Sequence, residues 1–422
     1  MDVVATFGKV LEANAFTHPK RARRILLTGW RLQDAALALA PDKRLPSSRR
    51  YVSKVAMDCI LDSLSHPDEA VAVSAFAPSE PLLAMGLKPL SVEQVSCFMA
   101  GSKAEEAFIQ RAENIGFPST LCSYHKTFLG TLESELMPSP RCTVYTNVAC
   151  DGNLVTFPHV ADMRDIPAFG IDVPAEHGEE AVSFVARQVH ELARFLEDVL
   201  GRPFDGDSFR VHVERGCVSA MYYRDFLAAE KGRRLPSSMV TEMYAFLMNH
   251  VLMGSRETER FCRMLAEDMA RAPEATGIPL VWLHTMPFSQ YPVQRRFDFS
   301  DEAHITASDL SADPMLIDVD PTDPYDAVAR RLVHSCFNGS YEHRVRCAID
   351  LVERSGAMGV VLFNHWGCKA TIGASKMIKE GIEEAGIPCL VLDGDGVNPS
   401  NRSDGQTSTR IDAFLEMLRT AS

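Results

Sequence analysis

The run Met358-Gly359-Val360-Val361-Leu362-Phe363 contains no polar side chain, and it stops abruptly at Asn364-His365-Trp366-Gly367-Cys368. A strand made from so short and uninterrupted an apolar run has no face to give to water, so it must be covered on both sides. Parallel sheets with helices on both faces meet that condition. In open sheets of this kind, ligands sit beyond the carboxyl ends of the strands. A chain that leaves such a strand through Gly367-Cys368 and restarts as a helix sets a thiol at that end.

Other segments repeat the pattern. Residues 71–77 (VAVSAFA), 142–149 (CTVYTNVA), 167–174 (PAFGIDVP), 280–285 (LVWLHT) and 387–395 (IPCLVLDGD) read as strands, and 313–319 (DPMLIDV) reads as a further one. PLLAMGLKPLSVE (81–93) reads as a helix, a glycine stop and a second strand. Between 179 and 200, Val182, Val185, Val189, Leu192, Leu196 and Val199 fall at helical spacing. Residues 205–270 read as helical, with Pro236-Ser237-Ser238 as a break and N-cap, and so do 1–66, interrupted at Pro46-Ser47-Ser48. Helices are also expected over about 371–385 and 408–419. Strands alternating with helices imply parallel βαβ units. The fold class is therefore α/β: two Rossmann-like parallel-sheet domains with an N-terminal helical segment and a helical connection. The expected boundaries are 1–70 for the N-terminal helices, 71–204 for the first α/β domain, 205–275 for the connection and 276–422 for the second. No internal repeat is visible.

A net charge of −13 argues against sequence-independent nucleic-acid binding, which needs clustered cations; the short run Lys20–Arg24 reads as a solvated helix face. No apolar run reaches membrane-spanning length. The start, MDVVATFGKVLEANAF, has no signal-peptide character, so the expected location is cytoplasmic. There, 11 cysteines are not a disulfide framework. No Walker loop, Ser-His-Asp order or zinc-finger spacing is present. GDGVNP (394–399) lacks the third glycine of a dinucleotide fingerprint.

Three cysteines share a context. Cys122 (LCSYHK), Cys150 (VACDGN) and Cys368 (HWGCKA) each follow an extended segment and precede a turn or helix. A helix N-terminus favours a thiolate. Three such thiolates converging on one cleft could hold an iron–sulfur cluster. Gaps of 28 and 218 residues are unlike the short Cys spacings of ferredoxins, and on spacing alone buried structural cysteines explain them as well.

Taken in order, APSEPLLAMGLKP, LCSYHKTFLG, ACDG, HWGCKAT and GIPCLVLDGD…GQTSTRIDAFLEML resemble the 2-hydroxyacyl-CoA dehydratase family, which includes benzoyl-CoA reductase subunits and double-cubane proteins. The resemblance implies one [4Fe–4S] cluster per chain, held by Cys122, Cys150 and Cys368 with the fourth iron open. It implies an acyl-CoA substrate, a separate ATP-dependent iron–sulfur activator protein, and a homologous second subunit or a homodimer. The implied reaction is radical dehydration of a 2-hydroxyacyl-CoA to an enoyl-CoA. The alternatives are a low-potential reductase subunit and a non-catalytic structural or relay partner. The double-cubane branch needs about twice the cluster cysteines; Cys97 lies near one such position, but Ala75 to Ala77 lack the Cys expected before Pro-x-Glu.

Ser79 and Glu80 could position substrate, or could cap the helix that follows. His365 could donate to the cluster or move a proton, or could be a satisfied histidine at a strand end. His125 reads as a neighbour of the ligands or a surface residue, Lys126 and Lys369 as cations beside the ligands or a solvated face. Arg410 could meet a CoA phosphate or pair with Asp412 or Glu416.

Overall fold

The structure is a computed structural model that describes residues 2–287, 290–401 and 403–421. Among the described residues, eight strands form two four-stranded sheets, and every strand pairing within them is parallel. The first holds β1 (Ala70–Val73), β2 (Lys88–Ser91), β3 (Cys142–Thr146) and β4 (Ala168–Ile171) in the order β2-β1-β3-β4. The second holds β5 (Ile278–Leu283), β6 (Ala303–Ser308), β7 (Gly359–His365) and β8 (Cys389–Gly394) in the order β6-β5-β7-β8. The two sheets therefore share one winding: first strand inside, second to one side, third and fourth to the other. This repetition of topology leaves no trace in the sequence. In each sheet the order reverses between the first and third strands, where a crevice opens beyond the strand ends.

Side chains explain why β5 and β7 read as solid apolar runs. Leu280, Trp282, Val361 and Phe363 enter the core that continues into the first half of the molecule. Val281, Leu283, Val360 and Leu362 enter a second core on the opposite face. That second core also receives Val52 and Val55 from the helix Ser47–Ser65, and Tyr223, Phe226, Phe261 and Leu265 from the helices Gly206–Glu230 and Arg256–Ala270. Period-2 alternation is present, but both faces are buried.

The helix Glu179–Leu200 buries Val182, Val185, Val189, Leu192 and Leu196 along one stripe, and Ser238 caps the helix Met239–Val251 in a capping box with Thr241. One reading is corrected. DPMLIDV is not a strand: Asp309–Leu316 is a helix with Pro314 inside it. The strand lies just upstream, at β6, where His304, Thr306 and Ser308 alternate with apolar residues and disguise an edge buried at every position but Ile305.

Candidate functional site

Cys150 and Cys368 leave the carboxyl ends of β3 and β7, the third strand of each sheet. Cys368 is the N-cap of the short helix Lys369–Ile372. Cys122 departs from the sequence reading: it follows the turns after the helix Glu106–Asn114, not a strand, and is the N-cap of the helix Ser123–Glu133. The three cysteines nevertheless line one cavity of about 540 Å³, counting all space not filled by atoms, including open solvent at its mouth. Gly367 makes their approach possible. Its φ is +86°, and a Cβ there would lie 2.7 Å from the Cα of Cys122 and 2.8 Å from its backbone nitrogen. The turn carrying Cys368 thus rests directly on the backbone of Cys122.

Two histidines stand behind two of the thiols. His365 Nδ1 accepts the N–H of Gly396 at 3.0 Å, so in the neutral ring the proton is on Nε2, 3.2 Å from Cys122 Sγ. His125 Nε2 is likewise 3.2 Å from Cys150 Sγ, with Nδ1 against the Thr156 hydroxyl at 2.7 Å. Burial holds both rings neutral, pushing His125 down to about 4 and His365 below the ordinary imidazole value. Backbone donors face the same sulfurs: the N–H of Tyr124 toward Cys122, and those of Gly152 and Asn153 toward Cys150. Against these, burial raises both thiols strongly, and the neighbouring cysteines add to the rise. The Cys122 and Cys150 thiols, each with donors aimed at it, resist ionisation unless positive charge joins them.

A cluster supplies such charge, and the donor set fits one. Among the described residues, no three His, Cys, Asp or Glu side chains converge on the single point that a mononuclear ion requires. A [4Fe–4S] cubane needs a different arrangement, in which each thiolate meets its own iron, so the sulfurs stand apart around a cavity.

The Cys122 helix is fixed from both sides. Ser123 donates to Asp395 Oδ1 at 2.5 Å, and that same oxygen accepts the N–H groups of Val397 and Asn398. Lys126 is buried and bonds Glu113 and the carbonyl of Ser119, holding the loop that delivers Cys122. Lys369 is exposed, and Arg410 lies 3.4 Å from Asp393 rather than beside Asp412 or Glu416. Asp412 is paired with Arg296.

Ser79 and Glu80 do not reach the cysteine cavity. They line a separate one, with Phe76 as the shared wall. Ser79 occupies the N-cap of the helix Glu80–Ala84 but makes no side-chain capping bond; its hydroxyl donates to the carbonyl of His250 at 2.6 Å. Glu80 is buried in an ion pair with Arg331, tying the end of the first sheet to the helix Pro324–Val333. Cys97 is buried beside Tyr124 and is not part of the cavity wall.

Sequence reasoning missed two wall residues. Glu93, in the first turn of the helix after β2, has an oxygen without a partner, and burial raises its carboxyl to about 7. His284 follows β5. Only the position of each just beyond a strand could have signalled them.

Three curated relatives are similar over most of their length. The (R)-phenyllactyl-CoA dehydratase alpha subunit of Clostridium sporogenes is 22% identical, the alignment covering 81% of this chain and 87% of that protein. The lactoyl-CoA dehydratase subunit alpha of Anaerotignum propionicum is 23% identical, over 82% and 89%. The (R)-2-hydroxyisocaproyl-CoA dehydratase alpha subunit of Clostridioides difficile is 23% identical, over 81% and 88%. The model of the 2-hydroxyglutaryl-CoA dehydratase D-component matches residues 74–418, a span that takes in every described strand but β1 and all three cavity cysteines, and the chain belongs to that family.

Proposed function

We propose that this chain is the cluster-bearing subunit of a dehydratase that converts a 2-hydroxyacyl-CoA to an enoyl-CoA and water. The observation that carries the reading is the convergence of Cys122, Cys150 and Cys368 on one buried cavity at the strand ends of two sheets. The names of the relatives, all alpha subunits of 2-hydroxyacyl-CoA dehydratases, support the substrate class and a partner subunit. Held by Cys122, Cys150 and Cys368, a [4Fe–4S] cluster would supply a low-potential electron, furnished by a separate ATP-dependent activator protein, and a Lewis-acidic iron.

The chain's own residues then have definite tasks. Cys122, Cys150 and Cys368 hold the cluster. His365 Nε2–H donates to the Cys122 sulfur, and His125 Nε2 stands against the Cys150 sulfur, which moderates the negative charge these sulfurs carry. Glu93 holds a proton on its carboxyl near neutral pH and can exchange it with substrate in the cavity. Phe76, Phe246, Leu310 and Phe337 line the remaining wall and limit access of water.

The deciding experiment is iron and acid-labile sulfide per chain on anaerobically purified protein, repeated for C368A and C97A. About four irons are expected in the native protein and in C97A, with most lost from C368A. No iron under anaerobic handling overturns the reading. About eight, falling in C97A, would mean a double cubane instead.

A further inference from the structure

His284 is built in an unusual way. Its φ is +75°, in the left-handed region that a residue with a Cβ seldom enters. The backbone on either side is pinned there. The His284 N–H donates to Asp309 Oδ1 at 2.7 Å, and Asp309 is itself held by the buried Arg344 at 2.9 Å. The carbonyl of the next residue, Thr285, accepts the indole N–H of Trp282 at 3.1 Å. Strain held in place by surrounding structure concentrates at sites where a side chain must be aimed.

The aim is into the cysteine cavity. His284 lines it, at the end of β5, beside the β7 turn that carries His365 and Cys368. The side chain is about nine-tenths buried, yet neither ring nitrogen has a hydrogen-bond partner. Buried polar atoms are nearly always satisfied, and an orphaned pair facing a cavity marks the place of a missing partner. His125 and His365, the other imidazoles of this wall, are each engaged at both nitrogens. Burial and the nearby Arg344 guanidinium keep the His284 ring neutral, so it presents one N–H donor.

We propose that His284 is a substrate-binding residue of this cavity, donating a hydrogen bond to the thioester carbonyl oxygen of the bound acyl-CoA. The inference rests on the dehydratase reading above and adds a residue to it. A neutral donor suits this task. It strengthens as the carbonyl oxygen gains negative charge on one-electron reduction, and it does not surrender its proton beforehand.

The test uses the anaerobic holoenzyme with its partner subunit, and two variants chosen for the backbone. H284G deletes the imidazole and relieves the strain, whereas H284N keeps an N–H donor on a residue that tolerates positive φ. Binding of lactoyl-CoA, (R)-phenyllactyl-CoA and (R)-2-hydroxyisocaproyl-CoA is measured by titration calorimetry, beside iron content and the melting midpoint. H284G should melt no lower than the native protein, keep its iron, and bind the best of the three about tenfold or more weakly. H284N should recover part of the loss. Equal binding by the native protein and H284G overturns the assignment. Loss of iron from H284G overturns it too, because His284 would then serve the cluster. If the native holoenzyme binds none of the three, the dehydratase reading itself fails, and this inference with it.

Discussion

Replacing Gly367 by alanine tests whether the site is assembled by direct contact between two backbones. Two penalties are separable. The first is conformational: at φ +86° a Cβ meets the following carbonyl, at about 1–2 kcal/mol. The second is steric. The new carbon would stand 2.7 Å from Cys122 Cα, about 0.7 Å short of ordinary contact at 3.4 Å, and 3.1 Å from the carbonyl carbon of Leu121. These are backbone atoms and cannot rotate aside, so the Cys368 turn and the Cys122 loop must part, at about 1–3 kcal/mol. Gly386 is the control. Its φ is +80°, but nothing lies within 4 Å of its Cβ position, so G386A carries only the first penalty. In urea unfolding, G386A should lose about 1–2 kcal/mol and G367A about 2–5 kcal/mol. G367A should also lose iron that G386A retains, since it moves one cysteine away from another. A G367A protein as stable as G386A, with full iron, would refute the reasoning.

Two further outcomes follow from burial elsewhere in the chain. E80A leaves the Arg331 guanidinium buried without its partner and should cost about 3–5 kcal/mol in urea unfolding, whereas exchanging both for apolar residues of similar size should recover much of it; an E80A protein of native stability would show that water reaches the pair. Glu105, at the start of the helix Glu106–Asn114, is buried with one oxygen unpartnered, and its carboxyl is raised to about 7 from 4.5. Below pH 4.5 both folded and unfolded chains hold the proton and nothing is lost; the cost grows between 4.5 and 7 and is complete above, at about 3 kcal/mol. E105Q should therefore match the native protein at low pH and exceed it in stability above pH 7, and a pH-independent difference between the two would contradict this.

Much of the architecture is readable along the chain because helix amphipathicity and apolar strand runs are local signals. Val182 to Leu196 mark their helix, and Val360 to Phe363 their strand, without knowledge of anything distant. β6 is not readable: its polar residues are covered by neighbours that no local window contains. The site divides the same way. Cysteines 122, 150 and 368 carry motif residues around them, so their resemblance to a family is visible. His284 carries none, since its importance lies in a backbone angle and in two nitrogens without partners. Ser79 and Glu80 are the opposite case. Their motif is plain, but their neighbours His250 and Arg331, brought in by folding, engage them outside the cysteine cavity.

The sequence distances across the site imply an order of events during synthesis. His365 lies 243 residues beyond the thiol it contacts, and Asp395 lies 272 beyond the serine it holds. The first sheet can wind up while the ribosome is still making the helices that follow, and two cysteines then wait with their companions not yet synthesised. Such distant closures are slow to form. The cavity is therefore completed late, after β7 and β8 have joined their sheet. Until then, Cys122 and Cys150 remain open to oxidants, and protecting that nascent intermediate becomes a task for the cell rather than for the fold.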